Sequence, residues 1–226
     1  YTANGAKLHP TVVFLHGMPG NERNLDLAQN LRRGGYNVVF FDYRGSWGSK
    51  GKFSFPNELR DADAVMNYIT DSVNRERLKI DTSRIAFVGH SMGAGLALIN
   101  GITNKRVKAV VGISVFNPYT VLQGPEAPGN LLDLREYIST LGMLNTDADT
   151  YLKEMYSHVK EYNIEKLVAD SRKPILVIDE HDNNNYLAAY KEKKNLTYKI
   201  WDTDHAFTNR RIALSTEIKT WLDKNL

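Results

Sequence analysis

Ser91 stands in the run Gly89-His90-Ser91-Met92-Gly93, after the apolar residues Ile85 to Val88 and before the small-residue series Gly93 to Leu98. This fits the G-x-S-x-G pattern, in which a buried strand turns sharply into a helix and pushes one hydroxyl out above a sheet. The two glycines have no Cβ, so strand and helix can approach closely around the turn. The backbone N–H groups at the start of the helix favour negative charge developing beside Ser91. Such a pentapeptide also arises by chance, so its meaning depends on what else the chain supplies.

A serine hydroxyl is a weak nucleophile unless a base takes its proton and a third group orients that base. In a sheet of this kind the partners follow in the order Ser, acid, His, each on a loop after a later strand. His205 fits the base: it follows the strand-like Thr197 to Trp201 and precedes a helical stretch. The acid comes from Asp179-Glu180-His181-Asp182, after Ile175 to Ile178. We take Asp182 ahead of Asp179, with Glu180 third, because Asp182 lies far enough beyond the strand to reach across to an imidazole. Asp202 and Asp204 read as turn formers.

An oxyanion hole needs two backbone N–H groups. Met92, after the serine, supplies one. The loop His16-Gly17-Met18-Pro19-Gly20 supplies the other from Met18, because Pro19 has no N–H. Tyr43 and Trp47, on the loop after the second strand, and Tyr119, early in the segment beyond residue 115, are the expected substrate-binding residues. His90 reads as structural. His9, His158 and His181 are scattered and make no metal site, and this chemistry requires neither metal nor cofactor.

The elements that would position these groups alternate along the chain. Strand-like runs cover Val12 to Leu15, Tyr36 to Phe41, Ile85 to Val88, Val107 to Ile113, Ile175 to Ile178 and Thr197 to Trp201. Helical spacing marks 23–33, a long stretch from Pro56 carrying Leu59, Ala62, Val65, Met66 and Ile69, and 209–222. Strands written as unbroken apolar runs, separated by helices, predict an α/β fold with a mostly parallel sheet covered on both faces. Residues 117–172 break the rhythm: a Pro- and Gly-rich loop, then helical patterns near 131–141 and 147–168. We read them as a helical cap insertion over the mouth of the sheet, with 1–116 and 173–226 as the core; the alternative is an enlarged crossover packed on one face.

The chain has 226 residues, 42% hydrophobic and 24% charged, which suits one packed α/β domain. Its formal net charge of +3 is spread out, and Lys191, Lys193 and Lys194 read as a solvated helix end and not as a nucleic-acid surface. The absence of cysteine excludes disulfides and thiolate metal sites. No apolar run reaches the length of a membrane-spanning helix. No signal peptide is visible, although a processed chain would show none, so compartment and oligomeric state stay open.

Four stretches together resemble the α/β-hydrolase superfamily: FLHGMPGN (14–21), FFDYRGSWGSKG (40–51), DTSRIAFVGHSMGAG (81–95) and DTDHAFTNRR (202–211). The second and third look most like the prolyl-oligopeptidase and acylaminoacyl-peptidase branch and its small esterase relatives. The match covers roughly 10–115 and 173–226. It implies a serine hydrolase, most simply a carboxylesterase acting on small or medium acyl esters, with a small peptidase or amidase as the alternative. A non-catalytic binding module on the same fold is a third reading, but such modules would be expected to lose Ser or His. Two departures stand out. The family usually has glycine where Glu180 stands, with its acid a little later than Asp182. Two strands commonly precede the HG strand, which leaves either a minimal core or a missing N-terminus.

Overall fold

Apolar runs six or so residues long bury both faces of a strand, and the sheet is built from such runs. The computed structural model describes residues 1–180 and 185–226. Its strands are β1 (His9–Leu15), β2 (Asn37–Phe40), β3 (Ile80–His90), β4 (Ala109–Ile113), β5 (Ile175–Glu180) and β6 (Leu196–Trp201). They form one sheet in the order β2-β1-β3-β4-β5-β6, every pairing parallel. β3 begins earlier than its apolar run suggests: Ile80 pairs with His9, and the register shifts before Thr11 meets Ile85.

The twofold side-chain alternation of a strand sorts residues between two cores. Val13, Leu15, Ile85, Phe87, Val110, Ile175 and Val177 join one buried cluster. Val12, Phe14, Ala86, Val88, Val111, Leu176 and Ile178 join the other. Helices α2 (Phe55–Thr70) and α4 (Met92–Thr103) cover the first face. Helices α1 (Leu25–Arg33) and α9 (Arg211–Asn225) cover the second through Leu27, Leu31, Leu214, Ile218 and Leu222. Each large apolar side chain so buried contributes roughly 1.5–3 kcal/mol. The expected doubly covered parallel sheet is therefore the fold.

A short helix α3 (Ser72–Arg77) was not legible in the apolar pattern, because it buries no residue; the Asp71 carboxylate caps it by accepting from the N–H groups of Val73 and Asn74. Between β4 and β5 the chain forms α5 (Pro118–Gln123), α6 (Ala127–Ser139), α7 (Ala148–Ser157) and α8 (Ile164–Asp170). The Pro- and Gly-rich stretch read as loop contains α5 and the first turn of α6, where Pro128 sits at a position that tolerates its missing N–H. The helical pattern expected over 147–168 divides after Ser157: a 3-10 turn covers Val159–Tyr162, and Asn163, whose side chain accepts from the Lys166 N–H, starts α8. Tyr151, Met155, Ile164 and Val168 enter the same buried cluster as the first sheet face. Much of this segment is thus core. No helix among the described residues is long and apolar enough to cross a membrane.

Candidate active site

Ser91 joins β3 to α4 with φ 58° and ψ −123°, a region costly for a residue with a Cβ, by on the order of 1–3 kcal/mol. Hydrogen bonds hold it there. Its N–H donates to the Ile113 carbonyl at 2.9 Å, and its carbonyl accepts from Ala94, Gly95 and Phe116. A Cβ at Gly89 would strike the Gly93 carbonyl, so the turn has room only for glycine. The loop after β1 lies directly against the serine: a Cβ at Gly17 would sit 2.9 Å from the Ser91 Cβ. Met92 opens α4, where the first-turn N–H groups have no carbonyl four residues back.

Ser91 and His205 line one cavity of about 300 Å³. Met18 and Phe116 line it from the loops at the strand ends, Met92 from the start of α4, and Leu134, Tyr137 and Tyr151 from 117–172. Of the residues expected to bind substrate, Tyr43, Trp47 and Tyr119 lie outside this lining. Tyr43 is buried in the core, its ring 4.4 Å from that of His16 and its hydroxyl donating to the His16 carbonyl at 3.3 Å. Trp47 donates from Nε1 to the Pro19 carbonyl at 2.7 Å, and Tyr119 packs against the first core cluster. Leu134, Tyr137 and Tyr151 are the aromatic and aliphatic side chains that 117–172 contributes to the cavity. All three fall within the stretches of helical pattern near 131–141 and 147–168, but the sequence did not mark them out there.

His205 lies between β6 and α9, and its Nδ1 faces two oxygens, Glu180 Oε1 at 2.9 Å and Ser114 Oγ at 2.8 Å. A carboxylate only accepts, so Nδ1 carries a hydrogen, and in the neutral imidazole Nε2 is then left with a lone pair. Ser114 also donates to Glu180 Oε1, at 2.6 Å. Burial would raise the Glu180 carboxyl, but the hydrogen bonds from His205 and Ser114 outweigh it and hold it below the usual range for Glu. The acid expected at Asp182 lies outside the described residues. Asp179 accepts from the Val115 N–H at 2.8 Å, and burial, opposed by that bond and by Tyr198, raises it to about 7.

Strand alternation offers a signal that could have brought Glu180 forward. Leu176 and Ile178 join the cluster shared with α9, so Glu180 continues that face, and His205 lies on the loop that leads into α9. Ser114, buried at the end of β4, carried no comparable signal. His90 does more than fill space: its Nε2–H donates to the His205 carbonyl at 2.8 Å, tying the residue before Ser91 to the loop of His205. Burial, then the neighbouring His205 imidazole 5.0 Å away, lowers His90 to about 4. Among the described residues no cluster of His, Asp and Glu could hold a metal ion.

Finally, the loop after β1 is held from two sides. Trp47 bonds the Pro19 carbonyl as above, and the Tyr137 hydroxyl on α6 donates to the Met18 carbonyl at 2.9 Å. The Trp47 loop is itself paired with the segment 117–172, through Trp47 N–H to the Met143 carbonyl and Asn145 N–H to the Gly45 carbonyl.

The chain resembles several known proteins. The uncharacterized protein YfhR of Escherichia coli O157:H7 is 31% identical over 128 residues, 54% of this chain and 43% of YfhR. The uncharacterized protein Rv2307c of Mycobacterium tuberculosis is 31% identical over 114 residues, 50% of this chain and 37% of its own length. The matches thus span less than half the length of these relatives. Among solved structures, the Pyrococcus furiosus esterase Pf2001 superposes with TM-score 0.66 at 20% identity, covering 96% of this chain and 83% of that one. A soluble variant of the Saccharomyces cerevisiae monoglyceride lipase gives TM-score 0.68 at 15% identity, covering 99% and 89%. At such identities the likeness concerns the fold. The family model described as "Alpha/beta hydrolase family" matches residues 12–221, and the chain belongs to that family.

Proposed function

We propose that the protein is a serine hydrolase, a carboxylesterase acting on small or medium acyl esters. One observation carries this reading: Ser91 and His205 share one cavity, and the Nδ1 of His205 is bonded to the buried Glu180. Ser91 Oγ attacks the ester carbonyl carbon while His205 Nε2 takes its proton. The oxygen that gains the electron pair is held by the Met18 and Met92 N–H groups. The intermediate collapses, and the alcohol leaves with the proton returned by His205. Water then attacks the acyl-enzyme, again with His205 as base, and frees the acid and Ser91.

In this reading Glu180 does the work expected of Asp182. It orients the imidazole and stabilises the imidazolium through the 2.9 Å contact with Nδ1. The segment 117–172 acts as a cap that also packs into the core. Its Leu134, Tyr137 and Tyr151 form the wall of an acyl pocket whose lining is mainly apolar. The substrate is a small molecule, and the reaction calls on no cofactor.

The test is labelling with a fluorophosphonate, followed by mass mapping. The parent should be labelled on Ser91 and should hydrolyse p-nitrophenyl esters. Ser91→Ala should remain folded, lose labelling and lose on the order of 10⁴-fold in kcat. A Ser91→Ala protein that keeps near-parent turnover would overturn the assignment.

A further inference from the structure

Ser114 stands just beyond β4 with φ 51°, a left-handed backbone that a side chain disfavours, and it is buried with 1% exposure. Its N–H donates to the Ile178 carbonyl at 2.9 Å, which anchors it to the strand that ends in Glu180. A glycine would adopt this backbone at lower cost. Retaining a serine in such a conformation points to a use for the hydroxyl.

The hydroxyl has one proton and two lone pairs, and its surroundings fix what each does. Glu180 Oε1 at 2.6 Å accepts the proton. A lone pair then faces His205 Nδ1 at 2.8 Å, where the imidazole hydrogen is shared between Ser114 Oγ and Glu180 Oε1. The three groups close a ring of hydrogen bonds in which each restrains the other two. We propose that Ser114 is a positioning residue for the hydrolytic reaction, acting through Glu180 and His205 as a fourth member of the Ser91 relay; this rests on the serine-hydrolase reading above.

Two consequences follow for the chemistry. First, donation to Oε1 keeps the carboxylate from turning away, so the oxygen that meets the imidazolium is already in place. Second, two acceptors at Nδ1 bind the tautomer that leaves Nε2 free for the Ser91 proton. Hydrogen bonds to charged groups are the strong ones, and the charge on this pair is greatest when His205 is an imidazolium. The effect therefore belongs to kcat and not to substrate binding.

The experiment compares the parent with Ser114→Gly and Ser114→Ala. Glycine suits the backbone, so it removes the hydroxyl while relieving strain; alanine removes the hydroxyl and keeps the strain. Both variants should lose about 10- to 100-fold in kcat for p-nitrophenyl butyrate, with KM within about twofold of the parent. Ser114→Gly should unfold in urea at no lower concentration than the parent. In protein carrying ¹⁵N-histidine, the low-field proton resonance of His205 Nδ1 should shift and exchange faster with solvent in both variants. Unchanged kcat and an unchanged resonance in Ser114→Gly would overturn the proposal, as would a loss seen in Ser114→Ala alone, which would assign the effect to backbone strain. The parent's own fluorophosphonate labelling separates this from the wider reading. A parent that is not labelled on Ser91 refutes the serine-hydrolase mechanism, whereas a labelled parent with fully active variants refutes only the role of Ser114.

Discussion

The identity of the acid can be decided by comparing Glu180→Gln with Asp182→Asn. In the parent, the carboxylate oxygen lies 2.9 Å from His205 Nδ1, which puts the charge centres of a carboxylate–imidazolium pair about 4 Å apart. At an effective dielectric constant of about 20 their attraction is about 4 kcal/mol. The His205 side chain is 58% exposed while Glu180 is 3% exposed, so solvent screens one partner and not the other. Halving the attraction for that screening leaves about 2 kcal/mol, and a mispaired amide at Nδ1 adds to the loss. Glu180→Gln should therefore lower kcat on the order of 10²-fold. With Glu180 as the acid, Asp182→Asn should stay within about threefold of the parent. Steady-state hydrolysis of p-nitrophenyl butyrate at one pH, with urea unfolding to confirm that both variants are folded, supplies the measurement. Were Asp182→Asn to cost more than Glu180→Gln, the geometry at Nδ1 would not be the catalytic one, and the acid would be the residue the sequence first suggested.

Asp179 gives a stability prediction with a definite sign. Its carboxyl is raised to about 7 in the folded protein, against about 3.9 in an unfolded chain. The native state thus holds the proton longer, and this carboxyl's contribution to stability declines as pH rises from about 4 to about 7, then levels. Asp179→Asn, which keeps an acceptor for the Val115 N–H, should remove that slope and gain up to about 4 kcal/mol over the parent above pH 7. Urea titrations at pH 4, 6 and 8 check this, and an unchanged slope in the variant would refute it. In the cavity, Leu134→Ala should move the preference among p-nitrophenyl esters toward longer acyl chains by about tenfold in relative kcat/KM, at 1–3 kcal/mol per methylene accommodated. An equal fall for every chain length would mean that this wall does not meet the acyl group.

The sheet was legible because its strands announce themselves as apolar runs, and their alternation assigns each residue to a face. The turn at Ser91 was legible for a related reason: few residues besides small ones fit between β3 and α4. The carboxylate that meets His205 Nδ1 was harder to read. Asp179, Glu180 and Asp182 all suit a loop after a strand, and counting distance along the chain favoured the outermost of them. What separates Asp179 from Glu180 is the face of β5 on which each side chain emerges, and that depends on where α9 packs. Ser114 was illegible, because a serine at a strand end is common and its importance comes from two residues 66 and 91 positions away. Tyr43 and Trp47 were expected beside a substrate because their loop ends on the right side of the sheet. The structure turns one into the core and uses the other's indole to hold the loop after β1.

That second use bears on how such a protein can be re-engineered. Tyr137 and Trp47 grip consecutive carbonyls of the loop after β1, at Met18 and Pro19, one from the segment 117–172 and the other from a loop paired with it. That segment is therefore no interchangeable cassette. A chimaera that grafts a relative's 117–172 onto this core would replace the pocket wall and, in the same exchange, discard the struts that hold the neighbouring loop. Transplants that carry over a tyrosine at 137 and the backbone pairing at 143–145 would inherit a specificity; those that do not would inherit a loosened scaffold. A substitution at Leu134 changes only the cavity wall, whereas one at Tyr137 changes the wall and a strut of the neighbouring loop together.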